Sequence, residues 1–391
     1  MTNRQMSNGG AKRLVTRICM WAVVLASVWW AGGCAAPRQA PAVVAGLQYE
    51  HQQVPSEPWS IHVLRIDRRG SDYRFETTLS DDRIFGLMPL SRQVEALYRS
   101  GERVLAGVNG DFFVIKPGPY QGDPQGLHVV RGELVSAPIG TSFWLDTQGR
   151  PHIGEVLSAF KAAWPDGKRY SFGVNQARGD GAVVLYTPRL GASTRTAGGV
   201  EYVLERAGDG PWLPLEAGRT YAARVAEVRR QGDTTLADGV MVLSVGPGLA
   251  KDAAELPVGS EVELSLDTRP DLTGVRTAVG GGPVLIEGGQ LRQWKPPQPR
   301  HPRTAIGFND GAFFLVVVDG RQPGLSVGMT FAELAELMQR LGCTEAMNLD
   351  GGGSSTFWLD GRVLNSPSDG RERSVSNGLV LVGTGERTGE D

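Results

Sequence analysis

Cysteine and histidine are scarce in this chain, with three Cys and five His among 391 residues. A disulfide framework of the kind that staples small secreted domains is thereby excluded. A zinc hydrolase of the common kind is excluded too, because no His-Glu-x-x-His occurs and the cysteines cannot complete a tetrahedral site. No glycine loop ends in Gly-Lys-Ser/Thr, and no dinucleotide fingerprint joins a strand to a helix, which sets aside nucleotide hydrolysis and nicotinamide redox chemistry. An excess of one charge is also missing. Forty Lys plus Arg face 42 Asp plus Glu, a net charge of −2, and no basic run follows the first residues, so nothing attracts nucleic acid. What is plentiful is glycine, with 53 residues, roughly twice the usual share. With 41% hydrophobic and 21% charged residues, the composition predicts one large or two modest globular units, rich in β-structure and tight turns, with chemistry on loops.

Apolar runs are short, and the longest stands near the start. Arg4, Lys12, Arg13 and Arg17 precede fourteen mostly apolar residues, Ile18 to Ala31, followed by Gly32, Gly33 and Cys34. A membrane span needs ~20 such residues, so this layout reads as an export signal. Small residues directly before a cysteine predict a bacterial lipoprotein signal over residues 1–33, with Cys34 lipidated and the protein held at the cell envelope by that membrane anchor. The alternatives are ordinary cleavage near Ala35 or Ala36, or an uncleaved anchor. Loss of residues 1–33 would leave 36 basic against 42 acidic side chains. Cys343 would then be the sole free thiol beside the acylated Cys34, and no intrachain disulfide could form. Residues 34–58, rich in Ala, Pro and Gln, read as a tether, and residues 384–391 as a C-terminal tail.

Between them, residues 59–383 predict an α+β (mixed α/β) fold, β-rich with few helices. Short apolar runs bounded by Gly, Asp and Pro mark strands at Ile61 to Ile66, Tyr73 to Leu79, Val104 to Val108, Gly126 to Val130, Leu134 to Ser136, Ser142 to Asp146, Val284 to Ile286 and Ala346 to Leu349. Helical spacing appears over Ser91 to Ser100 and over Phe331 to Leu341, where Thr330 and Glu333 form a capping box. Residues 149–268 contain further strands but few polar clusters, and predict an inserted β subdomain. A hairpin closes at Asp360-Gly361.

Carboxylates, arginines and glycine loops collect at strand ends. Asp350 follows a strand and opens Gly351-Gly352-Gly353-Ser354, a loop whose backbone N–H groups can close on an anion or a sugar oxygen; its plain alternative is a structural turn. It is not a nucleophile elbow, since Ser354 lacks the required glycine two residues on. Asn109 and Asp111 stand at another strand end. The adjacent Phe112 and Phe113 read as core. Gly281 and Gly282 offer a second backbone-donor loop. His301, Arg303 and Thr304 sit beside Pro302 on a stiff, Pro-rich segment suited to holding a phosphate. Arg371 adds charge after the last hairpin, with a solvated surface as its alternative role. Such a set suits cleavage of a glycosidic bond whose leaving group is anionic.

Taken together, the runs Val108 to Phe113, Gly280 to Val284, His301 to Gly307, Asn348 to Ser355 and Arg371 to Asn377 resemble, in order, the motifs of the phosphodiester glycosidase family. The last run departs at Ser374, where the family pattern has Pro. The resemblance implies hydrolysis of the C–O bond of a sugar-1-phosphodiester in envelope or extracellular glycans, with Asp350, Asp111 and Arg303 catalytic. It implies substrate contacts from Gly281, Gly282, Thr304, Gly352, Gly353 and Ser354, to which the strand-end and loop positions add Asn109, His301 and Arg371 as candidate contacts. Whether Asp350 or Asp111 attacks or activates water stays open at this stage. No cofactor is expected, although the two carboxylates would admit a divalent cation. A glycan-binding lipoprotein without catalysis and a metal-dependent phosphodiesterase are the rival readings.

Overall fold

The computed structural model describes residues 46–69, 72–295 and 298–384. The signal segment, Cys34 and the first part of the expected tether lie outside these residues. The remainder of the tether is corrected: Leu47–Val54 is a strand, paired residue for residue with Trp59–Asp67.

Among the described residues the chain is β-dominated, with two α-helices of ten residues each, so it is richer in strand than the α+β label implies. A seven-stranded sheet runs in the order Leu47–Val54, Trp59–Asp67, Ala312–Val318, Arg303–Phe308, Glu345–Asn348, Val284–Glu287, Gln290–Leu291. A five-stranded sheet is centred on Arg103–Asn109, flanked by Phe357–Leu359 and Gly378–Gly383. Side-chain alternation along each strand decides what covers each face. On Trp59–Asp67, Leu64 and Ile66 join Leu315 and Val317 against Ala106, Val108, Leu379 and Leu381 of the second sheet. Ile61 and Val63 point the other way, with Phe314 and Val316, onto Leu334, Leu337 and Met338 of the Phe331–Arg340 helix. The five-stranded sheet repeats this, presenting Val104, Val380 and Val382 to Leu90 and Val94 of the Leu90–Arg99 helix. Strands buried on both faces explain why their sequences read as continuous apolar runs.

A six-stranded sheet, with Ile139–Leu145 and Thr277–Gly280 at its centre, carries Pro151–Ser158, while Lys161–Ser265 forms an eight-stranded sheet. The separate sheet therefore begins at residue 161 rather than 149. One continuous core joins it to the six-stranded sheet, with Leu127, Leu134, Trp144 and Val156 packed among Leu185, Tyr221, Leu243 and Leu264.

Candidate active site

Two strands of different sheets end side by side to make the site. Arg103–Asn109 runs into Gly110 and Asp111, and Glu345–Asn348 runs into Leu349 and Asp350. The Asp350 amide donates to the Gly110 carbonyl (2.9 Å), which fixes the junction. Asn109 bolts it. Its Nδ2 donates to the Asp350 carbonyl (2.6 Å), while its Oδ1 accepts the Thr304 hydroxyl (2.7 Å) and the Thr356 amide (3.0 Å). Asn109 and Thr304, expected as substrate contacts, are fully buried and hold strands together instead.

The two carboxylates differ in setting. Asp111 is buried, with Oδ1 accepting the Phe112 amide and Oδ2 the Gly126 amide, both at 2.7 Å. Burial pushes its pKa up to about 7, against those two amides, and the charge of Asp350 adds to the rise. Asp350 is half-buried, and burial raises its pKa also. The Ser354 hydroxyl, the Gly351 amide and the Arg373 guanidinium oppose that rise. With a pKa of about 7, Asp111 is mainly protonated below neutral pH. Both Asp111 oxygens face N–H donors, and no cluster of three or more His, Cys, Asp or Glu suited to a metal occurs among the described residues.

The glycines act otherwise than expected. Gly281 and Gly282 donate their amides to the Thr141 and Asn348 carbonyls (3.1 and 2.7 Å), so they offer no anion nest. In the second loop, the amides of Gly351, Gly352, Ser354 and Ser355 are paired within the protein as well. What these glycines supply is room. A Cβ on Gly352, where φ is +61°, would lie 3.0 Å from Arg321 Nη2. One on Gly353 would overlap the Arg373 guanidinium and its partner Asp369. Two guanidiniums thus rest on consecutive glycines, beside Asp350.

Arg373 is oriented by Asp369, with Nε and Nη2 at 2.9 and 2.8 Å from Oδ2, and its Nη1 reaches the Ser354 hydroxyl at 3.4 Å. Its neighbour Glu372 takes the Ser91 amide (2.8 Å) and hydroxyl (2.6 Å) at the start of the Leu90–Arg99 helix. That anchor turns Arg373 to the loop and leaves Arg371 exposed. Arg321, with φ +59°, lies against His301 Nδ1 (3.3 Å). Burial, then the charges of Arg321 and Arg303, lower the His301 pKa. Arg303 is not displayed on a stiff loop. It opens a buried strand, donates to the Met329 and Pro299 carbonyls (2.8 and 3.2 Å), and lies over the Phe331 ring at 3.9 Å. Burial, then Arg321, lowers its pKa to about 10. Arg303 and Arg321 supply the positive charge here, with the less basic His301 lying against Arg321.

Sequence reasoning missed Arg321 as a site residue and named Arg371 in place of Arg373. The Asp319-Gly320-Arg321 turn after an apolar strand was the available signal for the first. For the second it was the alternation of Arg371, Glu372 and Arg373.

Fold and site define a β-rich protein with paired carboxylates and arginines arranged for an anionic ligand. Residues 217–382 match the model of the phosphodiester glycosidase family. A Bacillus subtilis relative, the SPbeta prophage-derived uncharacterized protein YomE, is 40% identical over 93 residues, 24% of this chain and 14% of that protein. The mouse N-acetylglucosamine-1-phosphodiester alpha-N-acetylglucosaminidase is 40% identical over 68 residues, 17% of this chain and 13% of that protein. The chain thus spans about one seventh of the length of these curated relatives. A solved structure of a hypothetical protein from Synechocystis shares the fold, with a TM-score of 0.68 at 20% identity over 86% of this chain and 62% of that one.

Proposed function

We propose that this protein hydrolyses the glycosidic C–O bond of a sugar-1-phosphodiester of the N-acetylglucosamine-1-phosphate type, in cell-envelope or extracellular glycans. The observation that carries this reading is the pair of guanidiniums, Arg321 and Arg373, seated on consecutive glycines beside two strand-end carboxylates. Arg321 and Arg373 hold the two free oxygens of the phosphodiester, and His301 flanks them. Guanidiniums match phosphate geometry and stabilise the charge that grows as the phosphate departs. A phosphate leaves without needing a proton, so the demand for a strong general acid is low. Asp350, the more open carboxylate, acts at the anomeric carbon, as nucleophile or through water. Asp111 lies beneath it and holds one proton of the pair near neutral pH. The family match and the named activity of the mouse relative support this assignment.

Asp350→Asn tests it. The variant should lose at least about a thousandfold in kcat on an N-acetylglucosamine-1-phosphodiester while binding inorganic phosphate as the parent does. A parent protein that binds the glycan and never turns it over would favour the non-catalytic reading. Activity abolished by a chelator would favour a metal-dependent phosphodiesterase.

The pattern around Cys34 supports action at the cell envelope, with the domain anchored to a membrane by lipid. Labelled palmitate should enter the protein in a bacterial host and be absent from Cys34→Ser.

A further inference from the structure

We propose that Asp319 is a positioning residue that sets the spacing of the Arg321 and Arg373 guanidiniums, an inference that rests on the anion-clamp reading above. Asp319 follows the Ala312–Val318 strand and is 2% exposed. Only Gly320 separates it from Arg321, yet the two side chains diverge, the carboxylate inward and the guanidinium onto Gly352. Its Oδ2 accepts the Ser60 hydroxyl at 2.8 Å and lies 3.3 Å from His62 Nε2. Its Oδ1 accepts the Ser366 amide at 2.8 Å and Asn365 Nδ2 at 3.2 Å. Ser60 and His62 belong to the Trp59–Asp67 strand, paired on both sides in the seven-stranded sheet, which supplies the fixed base.

Three segments meet at this carboxylate. The first is the Arg321 turn itself, tied back by the Ser326 hydroxyl on the Asp319 carbonyl (2.6 Å). The second is the glycine loop, reached because Asn365 Nδ2 also donates to the Ser355 carbonyl at 3.0 Å. The third is the run from Asn365 to Asp369 and Arg373, held at Asn365 and Ser366. A parallel link joins the first and third, where Gln322 Nε2 donates to the Ser366 carbonyl (2.7 Å) and the Ser366 hydroxyl donates to Gln322 Oε1 (2.8 Å). Both guanidiniums and the glycines between them are therefore referenced to one buried anion. Four donors on a buried carboxylate make a rigid node, since each charge-assisted bond is stronger than a neutral one.

A merely structural role is separated by a control. Glu201 is another buried carboxylate with four protein donors, namely Thr196 Oγ1, Ser244 Oγ, Thr194 Oγ1 and the Thr234 amide, and it lies in the eight-stranded sheet. The experiment is calorimetric binding of inorganic phosphate to the full chain and to Asp319→Asn, Gln322→Ala and Glu201→Gln, together with kcat and KM on the sugar phosphodiester. Asp319→Asn should weaken phosphate about tenfold and raise KM similarly, with kcat within about threefold of the parent. Gln322→Ala, which cuts the parallel link without orphaning a buried charge, should weaken phosphate about threefold and serves if Asp319→Asn does not fold. Glu201→Gln should lower the melting temperature and leave phosphate affinity within about twofold. Unchanged phosphate affinity in both Asp319→Asn and Gln322→Ala would overturn the positioning role, as would a loss equal to that of Glu201→Gln. If the parent itself binds no phosphate, the clamp fails, and the functional reading fails with it.

Discussion

Residue by residue, the site is governed by where side chains are left out. Gly353 has no positive φ, so alanine there costs nothing in backbone strain, yet its Cβ would displace Arg373. Gly353→Ala should therefore lower kcat/KM at least about tenfold with a melting temperature close to that of the parent, as read by steady-state kinetics and calorimetry. Asp111 yields a prediction in pH. Its folded pKa, about 7, exceeds the 3.8 of a free Asp, so the folded state favours the protonated form. The stability this contributes is complete below about pH 4 and is lost as pH rises through 7. Denaturant titrations of Asp111→Asn should show a stability profile flatter by up to about 1.4 kcal/mol per pH unit between those limits. Asp123, raised by burial to about 7 as well, keeps a residual slope in the same direction. Asp111 and Asp350 were legible in the sequence because each ends an apolar strand. The roles of Arg303 and Arg321 were not, because burial over Phe331 and a guanidinium resting on Gly352 are contacts between segments far apart in the chain.

Among elements, those with strong local signals were read correctly and those with weak ones were not. The Phe331–Arg340 helix carries its capping box, with Thr330 Oγ1 accepting the Glu333 amide at 3.1 Å and Glu333 Oε2 accepting the Thr330 amide at 2.8 Å. Thr330→Ala should cost about 1 kcal/mol in denaturant unfolding and leave kcat/KM unchanged. By contrast, Leu47–Val54 holds Leu47 and Tyr49 against the core but places polar residues at most other positions. As an edge strand it needs little apolar surface, because pairing with Trp59–Asp67 holds it, and such a segment looks like a tether.

At the scale of the whole molecule, sheets share cores. The eight-stranded sheet draws its apolar residues into one cluster with the six-stranded sheet, whose Thr277–Gly280 strand leads to the Gly281 loop beside Asn348. Excision of residues 161–265 with a short linker should then give a product that is insoluble or lacks a cooperative transition, since it bares the faces of Leu134, Trp144 and Val156. A soluble, cooperatively melting product would show the sheet to be an independent insertion. The sequence marked a change of character over residues 149–268, of which the eight-stranded sheet takes 161–265, but a core common to two sheets leaves no linker to read. The central claim, a carboxylate acting at the anomeric carbon while two arginines hold the phosphate, is tested most directly by hydrolysis of an N-acetylglucosamine-1-phosphodiester in oxygen-18 water. Label in the sugar is the predicted result, and label in the phosphate would contradict it.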